Sequence, residues 1–138
     1  MAIDKQQKQY IFLESTNSTD DGYLNIDATD LITEHADGYG CNFVAFVDLM
    51  VHRAGNSDVQ VTRYIARWSY YETSGVLKNA NDGTNPEIQH SVGNLAANIT
   101  QPNPPDNVTL RLVLTPVTSQ NMNHLVKVIL YVWDGAVS

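Results

Sequence analysis

The chain has 138 residues, 43% of them hydrophobic, which is enough for a single domain with a substantial core. It carries 15 acidic and 8 basic residues, for a net charge of −7. This charge argues against a nucleic-acid-binding protein, which needs a basic surface, and against docking on an anionic membrane. The lone cysteine, Cys41, excludes an internal disulfide and a cysteine-based zinc site.

The N-terminal residues 1–9 are polar and predict a flexible arm, which leaves residues 10–138 as one β domain. The start of the sequence lacks the apolar segment of a signal peptide, and no stretch approaches 18 apolar residues. We therefore expect synthesis in a cytoplasm and no transmembrane helix.

The first elements are two short strands, Tyr10–Glu14 and Tyr23–Ile26. The loop between them resembles half of a calcium-binding loop, but Ala28 stands where the bidentate glutamate would be needed. A solvated turn is the preferred interpretation, and no metal site is predicted. If a metal were found, Asp20, Asp21 and Asp27 would be the first ligands to test. The next segment, Asp27–Glu34, fits either one helical turn or an extended connector.

Two long strands are predicted next, at Asn42–Arg53 and Val59–Glu72. The first is apolar on both faces at its start, and Asp48 interrupts one of those faces. We expect Asp48 to pair with Arg63 or Arg67 on the neighbouring strand, which would satisfy a partly buried charge. The second strand is long enough to contain a bulge or break.

An aromatic run lies in the second of these strands. It fits a core or a subunit contact better than a platform for stacking sugars, since aromatic side chains are favoured in both of the former settings. Its members are Tyr64, Trp68, Tyr70 and Tyr71.

Weaker strands are predicted at Val76–Leu77, Glu87–Val92 and Leu95–Thr100, followed by a proline-rich connector, Gln101–Asp106. Two regular strands then end the chain. Leu110, Leu112 and Leu114 share a face of the first with Val108. The second is apolar on both faces, with Val126, Val128, Leu130 and Val132 on one and Leu125, Ile129, Tyr131 and Trp133 on the other.

A polar, turn-rich segment joins these last two strands, so we expect Val108–Leu114 and Val126–Val132 to form an antiparallel hairpin. Seven to nine strands at this spacing predict an all-β fold, an antiparallel two-sheet sandwich of jelly-roll-like or Ig-like type with little helix. No catalytic motif is present, and the four histidines lack metal-ligand spacing. We expect no cofactor and no enzymatic activity, with a small enzyme as the least favoured hypothesis.

The stretch from Gly40 to Gly135 resembles a β domain of tailed-bacteriophage virion surface proteins, found in tail-fibre, receptor-binding and head-decoration proteins. The features that carry the resemblance are the strand Val47–Arg53 with its basic end, the polar turn after it, the long strand Val61–Trp68, and the closing strands Val108–Leu114 and Leu125–Val132. The chain departs from the pattern in its long segment 78–106 and in lacking an upstream fibre shaft.

This resemblance implies a virion structural protein without catalytic residues, usually a homotrimer. Because the chain is nearly all one domain, a capsid decoration (cement) protein on the head is the first expectation. The alternative is a tail-fibre or receptor-binding or carbohydrate-binding module. The expected partners are further copies of the chain and the major capsid protein or another virion protein, with no nucleic acid and no membrane.

The doubly apolar last strand predicts where the copies meet. A two-sheet sandwich has one interior, so each strand needs only one apolar face. The surplus face requires a cover, and a symmetry-related copy is the simplest one. The predicted interface residues are Lys127, Ile129, Tyr131 and Trp133.

Overall fold

The computed structural model describes residues 6–15, 22–36, 39–55, 57–81, 83–93, 95–117 and 122–134, and the side chains of 6, 7, 12–15, 133 and 134 lie outside that description. The described residues form nine strands and one helix. In chain order these elements are β1 (Gln6–Ser15), β2 (Gly22–Asp27), α1 (Thr29–His35), β3 (Cys41–Arg53), β4 (Val59–Tyr71), β5 (Val76–Asn79), β6 (Glu87–Gly93), β7 (Asn98–Thr100), β8 (Thr109–Thr115) and β9 (Met122–Asp134).

The strands form two sheets, in which every described pairing is antiparallel. The six-stranded sheet has the order β1-β9-β3-β4-β5, and β6 pairs with the same edge of β4, nearer the start of that strand than β5. The three-stranded sheet has the order β2-β8-β7. The all-β, two-sheet prediction is confirmed.

The core lies between the two sheets and is built by alternation along the strands. Alternate residues of β3 and β9 turn inward, and so do Leu110, Leu112 and Leu114 of β8. The four positions predicted to be among the most buried, Leu110, Leu112, Val128 and Leu130, are all 1% exposed or less. Period-two patterns in the sequence therefore identified the inner faces correctly.

The helix α1 follows β2 directly and closes one side of the core. Asp27 stabilises the start of the helix, since its Oδ1 accepts hydrogen bonds from the backbone N–H of Thr29 at 3.0 Å and from the Thr29 hydroxyl at 2.6 Å. Leu31 and Ile32 are buried in the core cluster. The helical interpretation of this segment is confirmed, and Ala28 occupies the N-cap position.

The predicted hairpin between the last two strands is wrong. β8 pairs with β2 and β7, whereas β9 lies between β1 and β3 in the other sheet. Both strands contribute an apolar face to the same core, but they contribute it from opposite sides. Alternation shows which face of a strand is buried and does not show whether an apolar neighbour lies beside the strand or across the core.

The start of β1 differs from the sequence prediction, whereas the irregularity predicted in β4 is present. β1 begins at Gln6, so Gln6–Gln9, predicted as part of an arm, already pair with β9 from Ile129 to Val132. Strand pairing uses backbone groups, which polar residues supply as well as apolar ones. In β4 the predicted irregularity is present as a register shift against β6 between Arg63 and Tyr64, although the strand itself is continuous.

A buried glutamine ties the proline-rich connector to the six-stranded sheet. The Nε2 of Gln101 donates to the carbonyl oxygen of Arg67 at 3.0 Å and to Oδ1 of Asn79 at 3.1 Å, and its Oε1 accepts from Asn81. Asn79 in turn donates to the carbonyl oxygens of Gln101 and Pro102. These bonds fix β5 and the path of the chain away from β7, because buried polar groups are costly unless paired.

Candidate interaction face

The outer face of the six-stranded sheet, defined as the side turned away from the core, is the candidate functional surface. Register places its side chains in rows that run across the strands. The central row is charged and contains Ile11 of β1, Lys127 of β9, Asp48 of β3, Arg63 of β4 and His90 of β6. It crosses five strands, so one surface collects residues from distant parts of the sequence.

The centre of this row is a bidentate ion pair. Arg63 donates from Nε to Asp48 Oδ1 at 2.7 Å and from its terminal nitrogen Nη2 to Oδ2 at 2.8 Å. These hydrogen bonds lower the pKa of the Asp48 carboxyl, and the positive charges of Arg63 and Lys127 act in the same direction. The same bonds raise the pKa of Arg63. The predicted Asp48–Arg63 pair is confirmed, and Arg67 instead contacts Glu87 at 3.4 Å.

Apolar and aromatic side chains fill the row on one side of the ion pair. Ile129, Phe46 and Ile65 are in register on β9, β3 and β4. The Phe46 ring meets Tyr131 edge to face at a centroid distance of 5.8 Å, and the Arg63 guanidinium lies 5.9 Å from its centre. The arginine is thereby held on one side by a carboxylate and on another by an aromatic ring.

The row on the other side of the ion pair is also apolar. It consists of Leu125, Met50, Val61 and Val92, on β9, β3, β4 and β6. Between this row and the charged row lies an open hollow of about 600 Å³. Its lining residues are Asp48, Met50, Val61, Arg63, Gln89 and His90.

The outer face is open to solvent within the described part of the chain. Ile11, Val61 and Val92 are 57%, 44% and 55% exposed, which places large apolar side chains at the surface near both edges of the charged row. The helix α1 does not cover this face, since its Leu31 and Ile32 are buried in the core between the sheets. Large apolar side chains exposed together on one face of a sheet are typical of an interaction site.

Three of the four predicted interface residues lie together on this face. Lys127, Ile129 and Tyr131 occupy alternate positions of β9 and are partly buried. The backbone of Trp133 continues the strand, but its side chain lies outside the described residues. Sequence reasoning missed Val61, which joins the face through the pairing of β4 with β3, and His90 and Val92, which join it through the pairing of β4 with β6.

The aromatic run of β4 is divided between the core and the surface. Tyr64 and Trp68 are 2% and 1% exposed and belong to the core cluster, and Tyr70 packs against it. Tyr71 alone is half exposed. The core interpretation of this run is confirmed for Tyr64 and Trp68, and these two rings cannot stack on a sugar at the surface.

The remaining sequence candidates do not assemble into a site. His35 and His124 are buried, with His124 Nε2 accepting from the backbone N–H of Val117 at 3.0 Å, whereas His52 and His90 are exposed. Of the three suspected metal ligands, Asp20 and Asp21 lie outside the described residues, and Asp27 accepts hydrogen bonds from Thr29 at the start of α1. Within the described ranges there is no cluster of three or more histidine, cysteine or acidic residues suited to a metal ion.

No helix among the described residues is both long and apolar enough to cross a bilayer.

No protein-family model matches the sequence, and no curated protein matches it. The fold is similar to part of a solved structure, the tailspike protein of Acinetobacter baumannii phage AM24, with a TM-score of 0.53 and 10% sequence identity. The similarity covers 99% of this chain and 27% of the tailspike chain. At this level of identity the likeness is one of fold, and it extends over the whole two-sheet sandwich.

Proposed function

We propose that this chain is a structural protein of a tailed-bacteriophage virion, associated with the tail and acting as a homo-oligomer without catalytic activity. The observation that carries the proposal is the outer face of the six-stranded sheet, where two apolar rows flank an ion pair and Val61, Val92 and the nearby Ile11 are exposed to solvent. A surface of this kind is stable when another protein surface covers it.

The fold likeness supports the tail location. The sequence resemblance on its own named a capsid decoration (cement) protein first and a tail-fibre-like domain second. A sandwich similar over its full length to part of a tailspike supports the second of these better than the first. The proposed partners are further copies of the chain and a neighbouring virion protein, and the resemblance to phage β domains implies three copies.

The burial of the β4 aromatic residues favours a role in assembly over a role in glycan binding. Tyr64 and Trp68, which a stacking site would need at the surface, fill the core instead. Phe46 and Tyr131 are two aromatic side chains on the outer face, where they pack against each other edge to face. Aromatic residues in this setting are typical anchors of protein–protein interfaces.

The experiment is native mass spectrometry with sedimentation equilibrium on the purified chain at micromolar concentration. We expect a homo-oligomer. Ile129→Asp places a charge in the centre of the outer face and should dissociate the assembly, because an unpaired buried charge is costly. Thr115→Asp is the matched control, since Thr115 is exposed on the other sheet. A stable monomer for the wild-type chain would refute self-association.

The location is tested separately by immuno-electron microscopy on particles of the phage that encodes the chain. Label on the tail supports the proposal. Label on the head would return the assignment to a capsid decoration protein, and unlabelled intact particles would refute a role on the virion surface.

A further inference from the structure

The charged row gives the outer face a pattern that matters for how two copies meet. Along this row the charges follow the order positive, negative, positive, from Lys127 through Asp48 to Arg63. Asp48 and Arg63 satisfy each other through two short hydrogen bonds. Within the described part of the chain, Lys127 acts on Asp48 through longer-range electrostatics, without a hydrogen bond. The charged row therefore holds two positive side chains, Lys127 and Arg63, for one carboxylate, Asp48.

We infer that the outer face pairs with the same face of a second copy about a twofold axis that runs parallel to the strands, between β3 and β9. Such an axis keeps every residue in its own row and exchanges the two strands. Lys127 of one copy then lies over Asp48 of the other, and the reverse contact forms at the same time. A carboxylate has about four lone-pair positions, so Asp48 can accept from a lysine while it holds Arg63.

The apolar rows match under the same operation. Ile129 of one copy meets Phe46 of the other, and Leu125 meets Met50, because these residues are cross-strand neighbours in the same rows. The two contacts flank the Lys127–Asp48 pairs on either side along the strands. Each face thereby presents apolar surface to apolar surface and charge to opposite charge, which is the pattern of a self-complementary interface.

Other placements of the axis fit worse. An axis above β3 sets Asp48 against Asp48 of the partner copy, and one above β9 sets Lys127 against Lys127, so each opposes like charges. An axis between β3 and β4 duplicates the existing Asp48–Arg63 pair and places Lys127 over His90. An axis along the charged row again opposes like charges. Only the placement between β3 and β9 supplies the surplus lysine with a carboxylate.

This inference rests on the self-association in the proposed function but not on the number three. Pairing about a twofold axis gives an even number of copies. A trimer formed through another surface would pair face to face into six, and a chain with no other contact would give two. The pairing therefore predicts a twofold axis between the copies, in addition to an even number of copies.

The test compares the wild-type chain with Lys127→Glu by sedimentation velocity and native mass spectrometry. Lys8→Glu is the control, because it makes the same charge change at another exposed lysine. Lys8 is in register with the inward-facing Leu130, so it does not belong to the rows of the outer face. We expect two or six copies for the wild-type chain and for Lys8→Glu. Lys127→Glu opposes two carboxylates across the axis and should raise the dissociation constant of the paired faces by about tenfold or more.

A second measurement locates the contact. A zero-length carbodiimide cross-linker is applied to a mixture of unlabelled and ¹⁵N-labelled chains, and the peptides are identified by mass spectrometry. The expected product is a mixed-isotope link between Lys127 and Asp48. Links confined to single-isotope species, or a wild-type trimer that Lys127→Glu leaves intact, would overturn the twofold pairing and leave self-association standing. A wild-type monomer would overturn both.

Discussion

The two sheets share one core, but their outer faces differ in chemistry. The outer face of the three-stranded sheet is lined by polar side chains, among them Asn25, Asp27, Thr109, Arg111 and Thr115. The outer face of the six-stranded sheet carries two rows of Val, Ile, Leu, Met and Phe on either side of the Asp48–Arg63 ion pair. The first pattern is that of a strand with one face in water, and the second is that of a strand covered on both sides.

Each outer face contains an arginine beside an aromatic ring, and the two settings show the difference directly. Arg111 lies 4.7 Å from the centre of the Tyr23 ring and donates to Oδ1 of Asn25, while Tyr23 itself is 64% exposed. Arg63 is held by a carboxylate and lies over Phe46, which is partly buried among apolar neighbours. The same residue type completes a solvated surface on one sheet and neutralises a charge within an apolar surface on the other.

This contrast shows which sheet carries the surplus apolar residues of the sequence. A monomeric sandwich needs one apolar face per sheet, and the three-stranded sheet meets that condition. The six-stranded sheet exceeds it on β3 and β9, the two strands that lie at its centre. If the two outer faces differ in their contribution to stability as they do in composition, substitutions on them should change the free energy of unfolding by different amounts. Substitutions in the core that both sheets share should have the largest effect.

The largest effect is expected in the shared core. Leu112→Ala removes a buried side chain from β8, opposite the inner face of the six-stranded sheet, and should lower the free energy of unfolding by about 2–5 kcal/mol. Thr115→Ala, at an exposed position of the same strand, should change it by less than about 0.5 kcal/mol. Guanidinium denaturation at equal protein concentration measures both. Equal effects for the two variants would contradict the assignment of inner and outer positions on β8.

The same strand shows how far sequence alone could go. Alternation predicted the buried faces of β3, β8 and β9 correctly, because burial of one face imposes a period of two. It also identified the surplus apolar face of β9. It could not predict the neighbours of β8, because an apolar face fits equally well beside or across from another one. Nor could it place Val92 and His90 on the outer face, since all of β6 is exposed and its position depends on pairing with β4.

The next effect concerns the rim of the outer face. Gly93 ends β6 with a φ of +113°, and an added Cβ would lie 2.0 Å from the carbonyl oxygen of Val59. Gly93→Ala should therefore cost about 1–3 kcal/mol through backbone strain and displace β6 from β4. Gly55→Ala is the control, since Gly55 also has a positive φ but no atom within 4 Å of its added Cβ.

Thermal denaturation ranks these two glycine variants, and hydrogen exchange of the β6 amides shows whether the rim has opened. We expect the loss of protection to be confined to β6 in Gly93→Ala. Identical melting temperatures for the two variants would show that the close approach of β6 to β4 is not maintained.

A smaller difference is expected between the two aromatic residues that lie beside arginines. Phe46→Ala loses apolar burial, the edge contact with Tyr131 and the arginine above the ring, and should cost about 1–3 kcal/mol. Tyr23→Ala loses an exposed ring and one cation–π contact, for about 0.5–1 kcal/mol. Denaturant titration compares them. A larger loss for Tyr23→Ala would reverse the proposed ranking of the two faces.

The smallest effect is the pH dependence of the ion pair at the centre of the outer face. Hydrogen bonds from Arg63 lower the pKa of Asp48 below its ordinary value of 3.8, so the folded state favours the ionised carboxylate. Its contribution to stability is fully present above that ordinary value and is lost as the pH falls through the lowered pKa. Because the Arg63 side chain is 45% exposed, solvent screening limits this contribution to about 0.2–1 kcal/mol.

Asp48→Asn isolates this contribution from that of Asp27 and Asp106, whose pKa values are also lowered by hydrogen bonds and which titrate in both proteins. The free energy of unfolding of the variant should lie below that of the wild type by a constant amount between about pH 5 and 7, and the difference should shrink as the pH falls below about 4. Denaturant titrations of both proteins across this range, at one protein concentration, measure it. A difference that stays constant down to about pH 2 would show that Asp48 does not titrate as a partner of Arg63, and the apolar rows would then account for the outer face without the ion pair.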